Sequence, residues 1–151
     1  AHTVEMWARW RTGTGDMFMG FTSYDIWTNG GALGFNTGQG DVWGISSTQV
    51  NNLNLRGTER SNWHHYIFEF HKQVQYNKIY IDGVEQTLEQ VYNTTNLTAE
   101  KNFPTSFRIG TWNNSNAYNF NGDVAICRTY NRALTAEEVS QNYLAQWSRF
   151  T

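Results

Sequence analysis

The sequence predicts an all-β fold, a β-sandwich with one short helix near the C-terminus. Three observations carry this. Short runs of β-branched and aromatic residues recur through most of the 151 residues, and such runs suit half-buried strands. Asn, Asp and Gly, with thirteen Gly against one Pro, gather between them, because these residues tolerate the positive φ angles of tight turns. Helical apolar spacing occurs in one place only, after residue 133.

The elements follow in order. Thr3 to Trp10 alternates, with Val4, Met6, Ala8 and Trp10 on one face and Thr3, Glu5, Trp7 and Arg9 on the other. Thr12 to Asp16 is a turn, and Met17 to Thr22 a second strand. Ile26-Trp27 and Ala32 to Phe35 flank Asn29-Gly30-Gly31, a hairpin signal. Asn36 to Asp41 is a loop before the strand Val42 to Ile45. Trp63 to Phe70 is the clearest strand, with His64, Tyr66, Phe68 and Phe70 sharing a face. Lys78 to Ile81, the turn Asp82-Gly83 and Val84 to Leu88 make a further hairpin. Ser106 to Trp112 and Asp123 to Tyr130 are the last strands. The face of His64 should lie between the sheets with Val4, Met6, Ile79, Ile81, Phe107 and Ile109. Thr135 and Glu138 form a capping box for the helix, whose stripe is Leu134, Val139 and Tyr143.

Composition narrows the function. Residues 1–151 make one domain. Hydrophobic residues are 39% and aromatic residues 16% of the chain, enough apolar surface to exclude disorder. A net charge of −2 offers no basic excess, so no nucleic-acid partner is expected. A single cysteine, Cys127, excludes an intrachain disulfide. No run approaches the roughly 18 apolar residues of a membrane helix, so no membrane insertion is expected. The strand-like start at Ala1 to Val4 reads as a piece of something longer or a processed product.

Four stretches, in order, resemble one family. They are Thr3-Val4-Glu5-Met6-Trp7, Asn62-Trp63-His64-His65-Tyr66, Ile79-Tyr80-Ile81-Asp82-Gly83, and Phe120 to Thr135 with its Tyr130-Asn131-Arg132-Ala133-Leu134 core. The chain resembles the laminin-G-like domains of the concanavalin A-like lectin/glucanase superfamily. The family's preceding first strand is missing here, and the acids often found within its C-terminal motif are Ala125 and Ile126. The resemblance implies a jelly-roll sandwich. It also implies binding to glycans or extracellular proteins, sometimes through calcium, on a fold shared with glycoside hydrolases and lyases.

The residues themselves offer three chemistries. A glycosidase needs two carboxyl groups facing each other across the scissile bond, and no acidic string with that spacing occurs. Calcium needs several oxygen ligands around a bent loop. Asp41 with Asn36 is the candidate, and Asx-turns that simply cap the loop are the competing reading. Sugar recognition needs flat aromatic faces beside amides and carboxylates. Asp25, Trp27, Asn36 and Trp43 offer one such group, and Trp112, Asn113, Asn114, Asn116 and Tyr118 another. Asn93, Asn96 and Asn113 begin glycosylation sequons. The reading that follows is a non-catalytic carbohydrate-binding or adhesion module, extracellular or on a cell or virion surface. Its partners would be a glycan or glycoconjugate and other domains of a parent protein, and no cofactor is required. The alternatives are a structural or protein-interaction domain, and a glycoside hydrolase or lyase.

Overall fold

The structure, a computed structural model, describes residues 1–103, 106–112 and 116–151. Eleven strands are assigned among them: β1 (His2–Trp10), β2 (Met17–Phe21), β3 (Tyr24–Asn29), β4 (Ala32–Asn36), β5 (Val42–Ile45), β6 (Trp63–Phe70), β7 (Lys78–Ile81), β8 (Val84–Glu85), β9 (Glu89–Tyr92), β10 (Phe107–Ile109) and β11 (Gly122–Tyr130). The helices are α1 (Ser47–Asn52), α2 (Ala136–Leu144) and α3 (Trp147–Phe150). The strands form two antiparallel sheets, a five-stranded one ordered β11-β1-β6-β7-β8 and a six-stranded one ordered β10-β2-β3-β4-β5-β9. This is the jelly-roll sandwich that the resemblance implies.

Alternation sets the core. Val4, Met6, Ala8 and Trp10 of β1 and Tyr66, Phe68 and Phe70 of β6 face Ile26, Leu33 and Phe35 of the opposite sheet, all buried. The β3–β4 hairpin closes through Gly30 and Gly31 at φ +58° and +85°, the paired positive angles of a type I′ turn. Two core expectations need correction. Ile109 is 45% exposed rather than buried between the sheets, because three-residue β10 is an edge strand paired only with β2. His64 is buried at the margin, where Nδ1 lies 2.7 Å from Asp82 and Nε2 3.0 Å from the Asn54 carbonyl.

The second face of β1 and β6 is also covered. Ile67, Tyr80, Leu134 and Val139 form a small cluster between the five-stranded sheet and α2. The Trp7 ring stacks on Phe150 at 4.4 Å and on Tyr143 at 5.9 Å. Thr135 caps α2 in a full capping box with Glu138. Neither α1 nor α3 nor β9 is among the elements expected from the sequence, and the strand expected over 84–88 narrows to Val84–Glu85. No helix among the described residues is long and apolar enough to cross a membrane.

Candidate functional site

Strand alternation sends Asp25 and Trp27 of β3, and Asn36 of β4, to the outer face of the six-stranded sheet, since Tyr24, Ile26, Leu33 and Phe35 point inward. The chain after β10 folds back over this face. The Trp112 amide donates to the Ala117 carbonyl at 3.2 Å, and the Met17 amide donates to the Tyr118 carbonyl at 2.8 Å. The Tyr118 ring then lies 6.3 Å from Trp27 and 5.9 Å from Trp112, edge-on to each. These three rings, with Met17, Ser23, Asn36, Gly38 and Gly40, line an open hollow. Tyr118 is 49% exposed, and the Trp27 indole N–H has no protein partner. None of the residues lining the hollow among the described residues is charged.

Two of those residues stand in the left-handed backbone region without being glycine, Ser23 at φ +56° and Tyr118 at φ +57°. Such angles persist only where surrounding contacts impose them. Met17, Ser23, Gly38 and Gly40 were not singled out from the sequence. Met17 could have been found only from its pairing with Trp27 across β2 and β3.

Behind the hollow lies a polar network. The Asn36 amide donates to Asp25 Oδ1 at 3.0 Å, and its Oδ1 accepts from the Gly38 N–H at 3.1 Å. Asp41 is fully buried. Its Oδ1 accepts from the Thr37 and Gln39 amides at 2.9 and 3.2 Å, and its Oδ2 from the Thr37 and Thr95 hydroxyls at 2.9 and 2.7 Å. Four donors use all the lone pairs of a carboxylate. Asp41 and Asn36 therefore do not fit a calcium ion as they stand, and the loop has the geometry of Asx-type capping.

Asp25 is buried, and its Oδ2 has no partner. Burial, with the nearby Asp41 charge, pushes its carboxyl up to about 7 against the Asn36 bond and the Lys101 charge. The native state then holds a proton that the unfolded chain has released, so this group's contribution to stability falls as pH rises from about 4 to about 7. Asp25→Asn should be more stable than the wild type above pH 7 and converge with it near pH 4, measured as urea midpoints across that range. A constant difference at every pH would show that Asp25 is ionised in the fold.

The remaining candidates disperse. Trp43 pairs with Phe35 across β4 and β5 and packs against the core, so it lies on the opposite face of the sheet from Trp27. This corrects the grouping of Trp43 with Asp25, Trp27 and Asn36. Asn116 is exposed, and Asn113 and Asn114 lie outside the described residues. Of the sequon residues, Asn93 donates its amide to the Gly40 carbonyl at 2.8 Å and Asn96 accepts from the Thr98 and Ala99 amides.

A family model described as the concanavalin A-like lectin/glucanases superfamily, of laminin-G type, matches residues 1–140. No curated protein sequence matches the chain. Among solved structures, the NanB sialidase of Streptococcus pneumoniae is similar at 15% identity and TM-score 0.59, over 93% of this chain and 23% of that one. The sialidase of Trypanosoma rangeli is similar at 16% identity and TM-score 0.60, over 99% of this chain and 23% of that one. The receptor-binding domain of botulinum neurotoxin mosaic serotype C/D is similar at 12% identity and TM-score 0.55, over 96% of this chain and 36% of that one. The chain thus spans about a quarter to a third of these larger proteins, and the likeness is one of fold.

Proposed function

The chain belongs to the concanavalin A-like lectin/glucanase superfamily, and on that premise we propose that it is a non-catalytic carbohydrate-binding module. The observation that carries the reading is the uncharged cradle of Trp27, Trp112 and Tyr118 beside Asn36. Ring faces stack on the apolar C–H faces of a sugar. The module works outside the cell, on a cell or virion surface or attached to a secreted protein, where glycans are displayed. A glycosidase would need two carboxyl groups across the cleft, and none lines the cradle among the described residues. Calcium is not required, because the Asp41 oxygens already hold four donors.

A glycan array followed by calorimetry tests this. Tyr118→Ala should weaken binding to the best glycan about ten-fold, roughly 1.4 kcal/mol, with the circular dichroism spectrum unchanged. Excess calcium and chelator should give the same affinity and the same melting temperature. Binding untouched by Tyr118→Ala, or release of reducing sugar from the bound glycan, would refute the reading. A protein-contact domain is the second reading, favoured by Leu144 and Trp147, which are 59% and 45% exposed on the terminal helices. It gains if the array stays blank.

A further inference from the structure

The aromatic surface does not end at Trp27. The ring of Tyr92 lies 6.4 Å from Trp27 and at 81° to it, as Tyr118 lies 6.3 Å away at 78°. The two tyrosines come from opposite sides of β3. Tyr118 is tied to Met17 at the start of β2, and Tyr92 ends β9, beyond β4 and β5. Both are exposed, Tyr92 by 46% and Tyr118 by 49%, with Trp27 half-buried between them. Trp112 follows at 5.9 Å from Tyr118, so four rings succeed one another. Trp112 comes after β10 and Tyr92 from β9, the two edge strands of the six-stranded sheet. The row therefore crosses the sheet from edge to edge.

The sequence leaves room for this row. Gly34 of β4 pairs with Trp27, and Gly44 of β5 pairs with Gly34. Opposed residues share a face of a sheet, so the two strands between Trp27 and Tyr92 carry no side chain at that level. The two rings meet across the gap. None of the four rings belongs to the core cluster or packs against it, so the row is surplus to the folding of the sandwich. Glu89, opposite Gly44 on β9, is exposed. It brings a negative charge to the Tyr92 end, which disfavours an anionic ligand.

We propose that the cradle is one end of an extended site, which binds a neutral, unbranched oligosaccharide laid across the strands, with Tyr92 as the subsite for the units beyond Trp27. This rests on the carbohydrate-binding reading of the cradle. A single terminal sugar would cover the rings at one end and leave Tyr92 bare. A chain follows the row, and each further unit that meets a ring takes more apolar surface out of water. Affinity therefore grows with chain length, and Tyr92 is the residue that sets this growth.

The test is calorimetry with four ladders of neutral glycans: cellobiose to cellohexaose, laminaribiose to laminarihexaose, maltose to maltohexaose, and chitobiose to chitohexaose. In at least one ladder the hexasaccharide should bind about ten-fold more tightly than the disaccharide. Tyr92→Ala, at an exposed position on an edge strand, should abolish that gain and leave disaccharide binding unchanged. Tyr92→Phe keeps the ring and should keep the gain. Tyr118→Ala should weaken every member of the ladder. Equal affinity for disaccharide and hexasaccharide, or a gain that survives Tyr92→Ala, would overturn the extended site while leaving the cradle in place. Binding indifferent to Tyr118→Ala would count against the cradle and the extension together. No binding in any of the four ladders would overturn the neutral chain as the ligand, and the glycan array then judges the cradle separately.

Discussion

Glu5→Ala should cost about 3 kcal/mol of stability, read as a lower urea midpoint. Glu5 is fully buried in the middle of β1 and gathers four neighbours onto one carboxylate. Oε1 accepts from Arg128 at 2.7 Å and lies 3.2 Å from His65 Nε2, while Oε2 accepts from the Tyr130 hydroxyl at 2.6 Å and Asn142 at 3.1 Å. Arg128 and Tyr130 sit on β11, His65 on β6 and Asn142 on α2, so this group joins three strands to the C-terminal helix. Removing one partner of a buried ionic network costs about 3–5 kcal/mol because the others lose their counter-group. The lower end applies, since Arg128 is 41% exposed and can turn to water. Burial pushes the Glu5 carboxyl up, but the bonds from His65 and Tyr130 and the charges of His65 and Arg128 outweigh it and hold it below the ordinary glutamate value. The sign of its pH dependence follows. This contribution is in place above the unfolded-chain value of 4.5 and fades as pH falls below it, opposite to Asp25. A loss below about 1 kcal/mol, the worth of one ordinary hydrogen bond, would mean that the network does not hold α2 to the sheet.

Glu5 also marks where the sequence stops being legible. Alternation in Thr3 to Trp10 separates the two faces of β1 correctly, but it cannot say that both are covered. Trp7 and Glu5 share the second face, and only the return of α2 and α3 buries them. The strongest strands, the Asn29-Gly30-Gly31 turn and the Thr135 capping box are local signals, and the structure carries all of them. β9 was invisible because its residues, Glu89 to Tyr92, are mostly exposed and carry little apolar pattern. The cradle was half legible. Trp27, Asn36, Trp112 and Tyr118 are aromatic and amide residues in turn-rich stretches, but their meeting depends on β10 lying beside β2. Trp43 was misplaced because its proximity in sequence to Asn36 said nothing about which face of β5 it occupies.

Phe18→Ala should cost about 3–5 kcal/mol, the range for truncating a large buried aromatic side chain. Phe18 is fully buried, although its neighbour Met19 also points into the core. A bulge makes this possible: the register of β2 against β3 shifts between Met17, opposite Trp27, and Met19, opposite Ile26. The extra residue turns Phe18 inward at the centre of an aromatic lattice. Its ring lies 5.7 Å from Trp10, 5.4 Å from Tyr66, 6.2 Å from Phe68 and 4.4 Å from Phe120. Truncation removes four edge and tilted ring contacts at once and leaves a cavity with no flexible side chain among these neighbours to fill it. The effect should also reach the cradle. The Phe18 carbonyl accepts from the Gly110 N–H at 2.9 Å, and the Gly110 carbonyl accepts from the Phe120 N–H at 2.8 Å, so Phe18 and Phe120 together anchor both ends of the segment that carries Trp112 and Tyr118. Phe18→Leu keeps most of the volume and should lose less than about 1.5 kcal/mol. In Phe18→Ala, amide exchange over residues 110–112 and 116–120 should accelerate more than exchange in β6 and β7, which the truncation does not touch through the backbone. Equal acceleration throughout, with a loss under about 2 kcal/mol, would mean that the core relaxes around the gap and that the bulge does not hold the cradle in place.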